Sequence, residues 1–498
     1  MVHAERVAVV DGPVRFTWAE FRDRSRRLAS ALRTAGLRHG DRVAFVALNS
    51  EPMLLAHFGV LQAGGVLVPV NTRLNAAEVG YIRDHSGARF VFVSPELAAL
   101  VPQAPAVVEV IRLGPEFEAF LRTGSEVPLE SWLESEDELC SINYTSGTTG
   151  RPKGVMYHYR GAYLNALGMV VETRLTASSA VLWTLPMFHC DGWSQTWSMA
   201  AAGTRSIAIP RIEPDEVWGL LEREGVTHFN AAPTVLIMLA NSVAAHWLPR
   251  QVRVCTGGAP PSPTLIAQMA DFNIDLVHLY GLTETYGPLT INVPPPDAEA
   301  AEPAERARYA ARQGFTHVTA GEVRVVDGEL TDVPADGATM REVIATGNTL
   351  MMGYFEQPDA TAAVFKGGWL HTGDVGVRHS DGSIELRDRK KDVIISGGEN
   401  ISTIEVEQAV MSHPAVMEAA VIAVPDERWG EVPKAFVALK PGANATAAEI
   451  IAHVRDRIAH FKAPRQVEFG ELPKTSTGKI QKYLLREKEW AGRESRIN

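Results

Sequence analysis

The chain has 498 residues, 46% of them hydrophobic, and its 48 basic and 59 acidic residues give a net charge of −11. That length exceeds one ordinary core and implies two or more domains. The acidic balance argues against a nucleic-acid surface and calls for local Lys and Arg wherever phosphate is held.

Three cysteines far apart in sequence, Cys140, Cys190 and Cys255, suggest neither a disulfide framework nor a zinc site and are expected as reduced, buried thiols. Apolar runs such as 66–70 fall far short of the ~20 residues of a membrane span. No charged-then-apolar leader opens the chain, and Arg496-Ile497-Asn498 is not a peroxisomal address, so a cytoplasmic location is expected.

Thr17-Trp18-Ala19-Glu20 is a capping box, in which hydroxyl and carboxylate each satisfy a free backbone N–H, and Phe21, Leu28, Ala29 and Leu32 follow at helical spacing. Residues 42–48 then read as a strand. Alternation of helix and strand continues through 88–94, Leu139–Tyr144 and 226–230, which predicts an α/β fold of layered, largely parallel sheets covered by helices. Residues 298–312, rich in Ala, Glu and Arg, read as a surface helix. A second unit begins near Arg389. Ser402-Thr403-Ile404-Glu405 and Thr446-Ala447-Ala448-Glu449 are further capping boxes, with strands at 419–424 and 435–439 between them. The boundaries expected are 1–388 for a large N-terminal domain and 389–498 for a small α+β domain, with no internal repeat.

Chemistry-bearing segments punctuate this frame. Tyr144-Thr145-Ser146-Gly147-Thr148-Thr149-Gly150-Arg151-Pro152-Lys153-Gly154 leaves a strand end, and its hydroxyls, glycines and basic residues suit phosphate oxygens. It is not a Walker loop: only two residues separate Gly147 from Gly150, and Pro152 before Lys153 discourages the helical turn a Walker lysine requires. Tyr280-Gly281-Leu282-Thr283-Glu284-Thr285 follows the strand-like stretch 274–279 and is expected as a short turn carrying an aromatic, a hydroxyl and a carboxylate that suits Mg²⁺. His371-Thr372-Gly373-Asp374 presents a two-oxygen acceptor suited to ribose hydroxyls. Arg389-Lys390-Lys391-Asp392, Gly397-Gly398-Glu399-Asn400 and Pro473-Lys474-Thr475-Ser476-Thr477-Gly478-Lys479 complete the series. Taken singly, Glu284 reads as readily as a helix N-terminal carboxylate, Asp374 as a turn former and Lys479 as a surface lysine. Only the combined pattern overturns those readings.

In this order and spacing, from Phe16 to Arg486, the segments resemble the adenylate-forming superfamily of acyl-CoA synthetases, aryl-CoA ligases, peptide-synthetase adenylation domains and luciferases. Met187-Phe188-His189-Cys190-Asp191-Gly192-Trp193 and 395–402 look most like the fatty acid and aryl acid CoA ligases. The resemblance implies an acid–thiol ligase that uses ATP, Mg²⁺ and CoA. It forms an acyl-AMP with pyrophosphate release and then passes the acyl group to the CoA thiol.

By resemblance, Lys479 bridges the carboxylate and α-phosphate, Glu284 holds Mg²⁺, and Thr283 contacts the α-phosphate. Thr145, Ser146, Gly147, Thr148, Thr149 and Lys153 surround the leaving phosphates. Tyr280 stacks on adenine beside Gly257, Gly258 and Ala259, with Asp374 and Arg389 on the ribose. His189 gates the passage between acid and thiol. Lys391 is the hinge about which the small domain turns, bringing Gly397 and Gly398 to the thiol channel. The acid pocket is expected from Phe188, Trp193, Thr234, Gly257, Leu279 and Tyr286, a mostly apolar set compatible with a modest unbranched chain, an aryl acid or a polycyclic acid. Loading of a carrier-protein phosphopantetheine, or an enzyme running mainly one half-reaction, stays open as an alternative, as does a homodimer.

Three departures stand out. His158-Tyr159-Arg160-Gly161 and Arg341-Glu342-Val343 replace more usual sequences at structural positions. The residue matching the amino-group aspartate of peptide-synthetase domains is His189, with Asp191 out of register, which disfavours an amino-acid substrate.

Overall fold

The computed structural model describes residues 2–101, 107, 109–145, 151–294, 301–397, 399–426, 428–475 and 479–490. The N-terminal part builds on two mixed sheets whose centres are parallel. One runs, in spatial order, Gly353–Tyr354, Gly154–His158, Leu139–Tyr144, Val66–Pro69, Arg42–Val46, Ala88–Val93 and Glu109–Arg112. The other has Val7–Asp11, Arg205–Ala208, Ala180–Trp183, His228–Ala231, Val252–Thr256 and Ile274–Leu282 in parallel, with Val14–Thr17 antiparallel at one edge and Gly287–Ile291 then Phe315–Thr316 at the other. The near-continuous apolar reading of the central strands follows from burial on both faces. Leu28, Phe45, Phe90 and Phe92 lie in the core cluster on one side, and Trp218, Phe229 and Val254 in another.

A third sheet, of Glu322–Val326, Arg341–Thr346, Trp369–Arg378, Phe365–Lys366 and Ile384–Arg389, has only antiparallel pairings. This differs from the largely parallel expectation: Phe365–Lys366, Trp369–Arg378 and Ile384–Arg389 follow one another through short turns at 367–368 and 379–383, which only antiparallel neighbours allow. The C-terminal unit pairs Val416–Asp426 with Gly430–Leu439 antiparallel and adds Gln466–Phe469 in parallel, with helices Thr403–Met411 and Ala447–Arg455 on the sheet.

The capping boxes at Thr17 and Thr446 form with both reciprocal bonds. At Ser402 only half forms: the hydroxyl accepts from Glu405 N, while the Glu405 carboxylate is taken by Lys462 at 2.8 Å. The surface helix is shorter than expected, Pro303–Ala310, and residues 295–300 lie outside the described set. All three cysteines are free and buried. Among the described residues, no helix is long and apolar enough to cross a membrane.

Candidate active site

Four of the expected segments leave the carboxyl ends of parallel strands, where diverging connections in α/β sheets open a crevice. Thr145 follows Leu139–Tyr144, and His189 lies beyond Ala180–Trp183. The Gly257 turn follows Val252–Thr256, and Thr283 follows Ile274–Leu282. Tyr280, Gly281 and Leu282 belong to that last strand, so only Thr283–Thr285 forms the turn, a correction to the sequence expectation. Thr285 Oγ1 fixes the turn by donating to Gly287 O at 2.7 Å and accepting from Leu282 N at 2.9 Å.

Asp374 faces Arg389 across paired strands, Oδ1 to Nε at 2.7 Å, and its Oδ2 accepts the Tyr280 hydroxyl at 2.7 Å. Burial first, and then the Asp374 charge, push the Tyr280 phenol well above its ordinary range, so it stays a donor. Each carboxylate oxygen keeps a further lone pair for a hydroxyl. Gly258, at φ +83°, has open space where a side chain would stand.

Glu284 Oε1 accepts the Tyr354 hydroxyl at 2.7 Å, and Glu284 O accepts Met351 N at 2.9 Å. Lys153 Nζ lies 4.6 Å from the Tyr354 ring centroid, so the basic end of the phosphate-type loop and the turn carboxylate meet at one tyrosine. Thr145 N donates to Lys153 O at 3.0 Å and closes the loop's mouth. Ser146, Gly147, Thr148, Thr149 and Gly398 lie outside the described residues. Thr283 O accepts the Tyr157 hydroxyl at 2.7 Å, and Cys190 Sγ sits 3.7 Å from Thr283 Oγ1.

Lys479 comes from the C-terminal unit, on a small loop closed by its backbone N to Thr475 Oγ1 at 3.1 Å. Its side chain is exposed to solvent, with the Arg389 guanidinium close by. The nearby Arg389 charge, and then lost hydration, hold its ammonium down to about 8. His189 is half-buried; burial and then the Lys479 charge hold its imidazole down to about 4, so it is neutral at physiological pH. The fold thus brings Lys479, His189, Asp374 and Arg389 together from segments nearly three hundred residues apart in sequence.

The expected acid pocket divides. Trp193, Leu279, Cys255 and Val277 share one buried cluster beside Gly257. A β-carbon on Gly257 would sit 3.2 Å from Trp193 Cη2, and one on Gly287 only 2.8 Å from Trp193 Cδ1, so the indole packs closely against two glycines. Tyr286 is not in the pocket: it stacks on Tyr157 at 3.9 Å and its hydroxyl accepts His158 N at 2.7 Å, inside the core. Phe188 joins the large core around Leu28 and Phe45. Thr234 lines a groove of about 470 Å³ shared with Met238, Met417 and Pro441, on the surface between the two units. Gly397 donates to Trp429 O at 2.8 Å within the C-terminal unit.

Sequence reasoning missed Tyr157, Tyr354 and the Asp191 network described below. Polar Ser141 and Asn143, two apart in an apolar strand and hence on one face, were the available signal for the last.

Residues 1–355 match the family model for AMP-binding enzymes and residues 405–479 the model for their C-terminal domain. The chain is 41% identical to the acetate–CoA ligase CCL3 of Humulus lupulus, over 98% of this chain and 92% of that one. It is 39% identical to 4-hydroxybutyrate–CoA ligase 2 of Metallosphaera sedula, over 97% and 91%. Its fold is similar to the crystal structure of the anthranilate CoA ligase AuaEII in complex with anthranoyl-AMP, with a TM-score of 0.89 at 27% identity over 98% and 95% of the two chains.

Proposed function

The chain belongs to the AMP-binding enzymes and is an AMP-forming acid–thiol ligase, and we propose that its acid is a short aliphatic carboxylate. The observation that carries this reading is the Trp193 indole packed against Gly257 and Gly287, which we place at the pocket floor. An indole there removes space that a long chain or a ring would need, and each excluded methylene forfeits ~0.8 kcal/mol of burial. Relatives named for acetate, butyrate and 4-hydroxybutyrate support the same size class.

In the first half-reaction an oxygen of the acid attacks the α-phosphorus of ATP, and the bond to the pyrophosphate oxygen breaks. Lys479 offsets the charge that gathers between carboxylate and phosphate, which is worth most in a cleft with little water. Arg389 and Asp374 hold the ribose, Tyr280 flanks the base, and Thr283, Thr145 and Lys153 line the phosphate path. The second carboxylate oxygen of Glu284, with phosphate oxygens and water, fits Mg²⁺, which usually takes one or two protein carboxylates; bound there, it would supply charge neutralisation on the departing pyrophosphate.

In the second half-reaction the CoA sulfur attacks the acyl carbon, its proton is lost and AMP leaves. The small domain, turning about Lys391, withdraws Lys479, and the neutral His189 stands between the acid site and the incoming thiol. A panel of straight-chain acids from acetate to decanoate, with benzoate and a cinnamate, tests the reading by pyrophosphate release and by thioester mass. Preference for acetate to butyrate is expected. Highest kcat/KM with long or aromatic acids overturns it.

A further inference from the structure

Five consecutive residues, Cys190, Asp191, Gly192, Trp193 and Ser194, adopt left-handed backbone, with φ of 52°, 50°, 63°, 58° and 59°. Left-handed helix crowds the β-carbon of an L-residue against the following carbonyl oxygen, so side-chain-bearing residues usually visit it singly. A run of this kind persists only where its surroundings over-determine it, as happens at functional sites. Its own backbone bonds are modest: Gly192 N to His189 O at 3.0 Å, Ser194 N to Cys190 O at 3.1 Å and Trp193 N to His189 O at 3.4 Å.

The rest of the restraint comes from Asp191, which is fully buried. Its Oδ2 accepts Asn143 Nδ2 at 2.8 Å, and its Oδ1 accepts the Ser141 hydroxyl at 3.2 Å and lies 3.3 Å from His57 Nε2. Asn143 grips the residue twice, because its Oδ1 also accepts Asp191 N at 3.3 Å. Asp191 O accepts the Thr196 hydroxyl at 3.1 Å. His57 is itself fixed, Nδ1 donating to Met53 O at 2.9 Å. Ser141 and Asn143 are buried on the strand Leu139–Tyr144 that feeds the phosphate-type loop, so the clamp ties the turn to that strand. A buried carboxylate with several donors is costly to disturb, since any donor left behind loses its partner away from water.

We propose that Asp191 is a positioning residue for acid-length selectivity: its clamped carboxylate locks the left-handed turn and thereby holds the Trp193 indole against Gly257 and Gly287 as the end wall of the acid pocket. The residue does not touch the acid; it acts two positions along the chain, through Trp193. This rests on the short-acid reading above, and the test separates the two.

The readout is the ratio of kcat/KM for hexanoate to that for acetate, with the KM for ATP measured alongside. Asp191→Asn keeps the shape but removes the charge and turns one acceptor into a donor facing Asn143 or Ser141. It is expected to raise the ratio by about tenfold, the scale on which pockets discriminate methylenes, with the ATP KM within about twofold. Trp193→Ala is expected to raise the ratio as well, and the double variant to add nothing further, because both act on one wall. If Asp191→Asn unfolds, Ser141→Ala and Asn143→Ala loosen the same clamp from the strand side and carry the same expectation. A ratio unchanged in every folded clamp variant, while Trp193→Ala raises it, overturns the proposal and leaves Asp191 a purely structural residue. A ratio unchanged in Trp193→Ala overturns the pocket reading instead.

Discussion

The Arg389 guanidinium is the largest influence on the Lys479 ammonium: two cations from distant segments of the chain stand close together, and Arg389 holds the lysine down to about 8. Arg389 is itself neutralised in part by Asp374 at 2.7 Å, so the uncompensated charge belongs to Lys479. A site arranged this way is prepared for an anion before one arrives.

Lys479→Ala is therefore expected to slow acyl-AMP formation by about 10²–10³, the cost of removing one donor aimed at developing negative charge. Thioester formation from supplied acyl-AMP is expected to survive. Rapid-quench measurement of each half-reaction decides, and equal losses in both would deny the lysine a selective role in the first.

The same lysine sets an alkaline limb. Its folded-state value lies below the ordinary one, so positive charge is lost as pH rises through about 8. The kcat/KM for adenylation, which reports the free enzyme, should bend downward there. Lys479→Arg, which keeps its charge throughout, should remove the bend if it retains activity. A limb displaced to ~10, where an unperturbed lysine titrates, contradicts the influence of Arg389.

Tyr354→Phe removes the hydrogen bond that orients Glu284 while leaving the carboxylate in place. Partners of this kind are worth roughly 10–100-fold in metal affinity, so the Mg²⁺ concentration for half-maximal adenylation should rise by about that factor. Glu284→Gln should raise it further. An unchanged Mg²⁺ dependence in both variants would detach this carboxylate from the metal.

Lys391→Pro fixes φ at the domain boundary and restricts Lys390 before it. Adenylation should persist while thioesterification falls, because the proposed turn of the small domain needs a backbone change at this residue. Wild-type rates in both half-reactions would remove rotation about Lys391 from the mechanism.

Much of this was legible in the chain. Thr17 with Glu20 and Thr446 with Glu449 announced helix starts because capping is a local matter within four residues. The acyl-acid chemistry was legible because its segments keep order and spacing. What escaped depended on contacts between distant segments. Glu405 looked like half of a capping box, but Lys462, 57 residues away, claims it. Tyr286 looked like a pocket aromatic, but Tyr157 stacks on it and His158 holds its hydroxyl. The strand Ile274–Leu282 runs through Gly281 because the facing hairpin strand comes so close that a β-carbon there would lie 1.7 Å from Gly287 O.

The helix Lys482–Trp490 begins three residues after Lys479 and is fastened at both ends. Lys482 meets Glu407 at 2.7 Å and Arg486 pairs with Asp392, while Lys434 holds Glu489 at 2.7 Å and Trp490 Nε1 donates to Ala423 O at 2.9 Å. The lysine loop is thus moored from its downstream side by a segment that carries no chemistry. A proteolytic nick between Lys482 and Trp490 would leave every reacting group in the chain and still release the loop. Limited digestion that silences adenylation before it changes the fragment mass appreciably is the signature to look for, and a label or surface linker is better attached away from this helix.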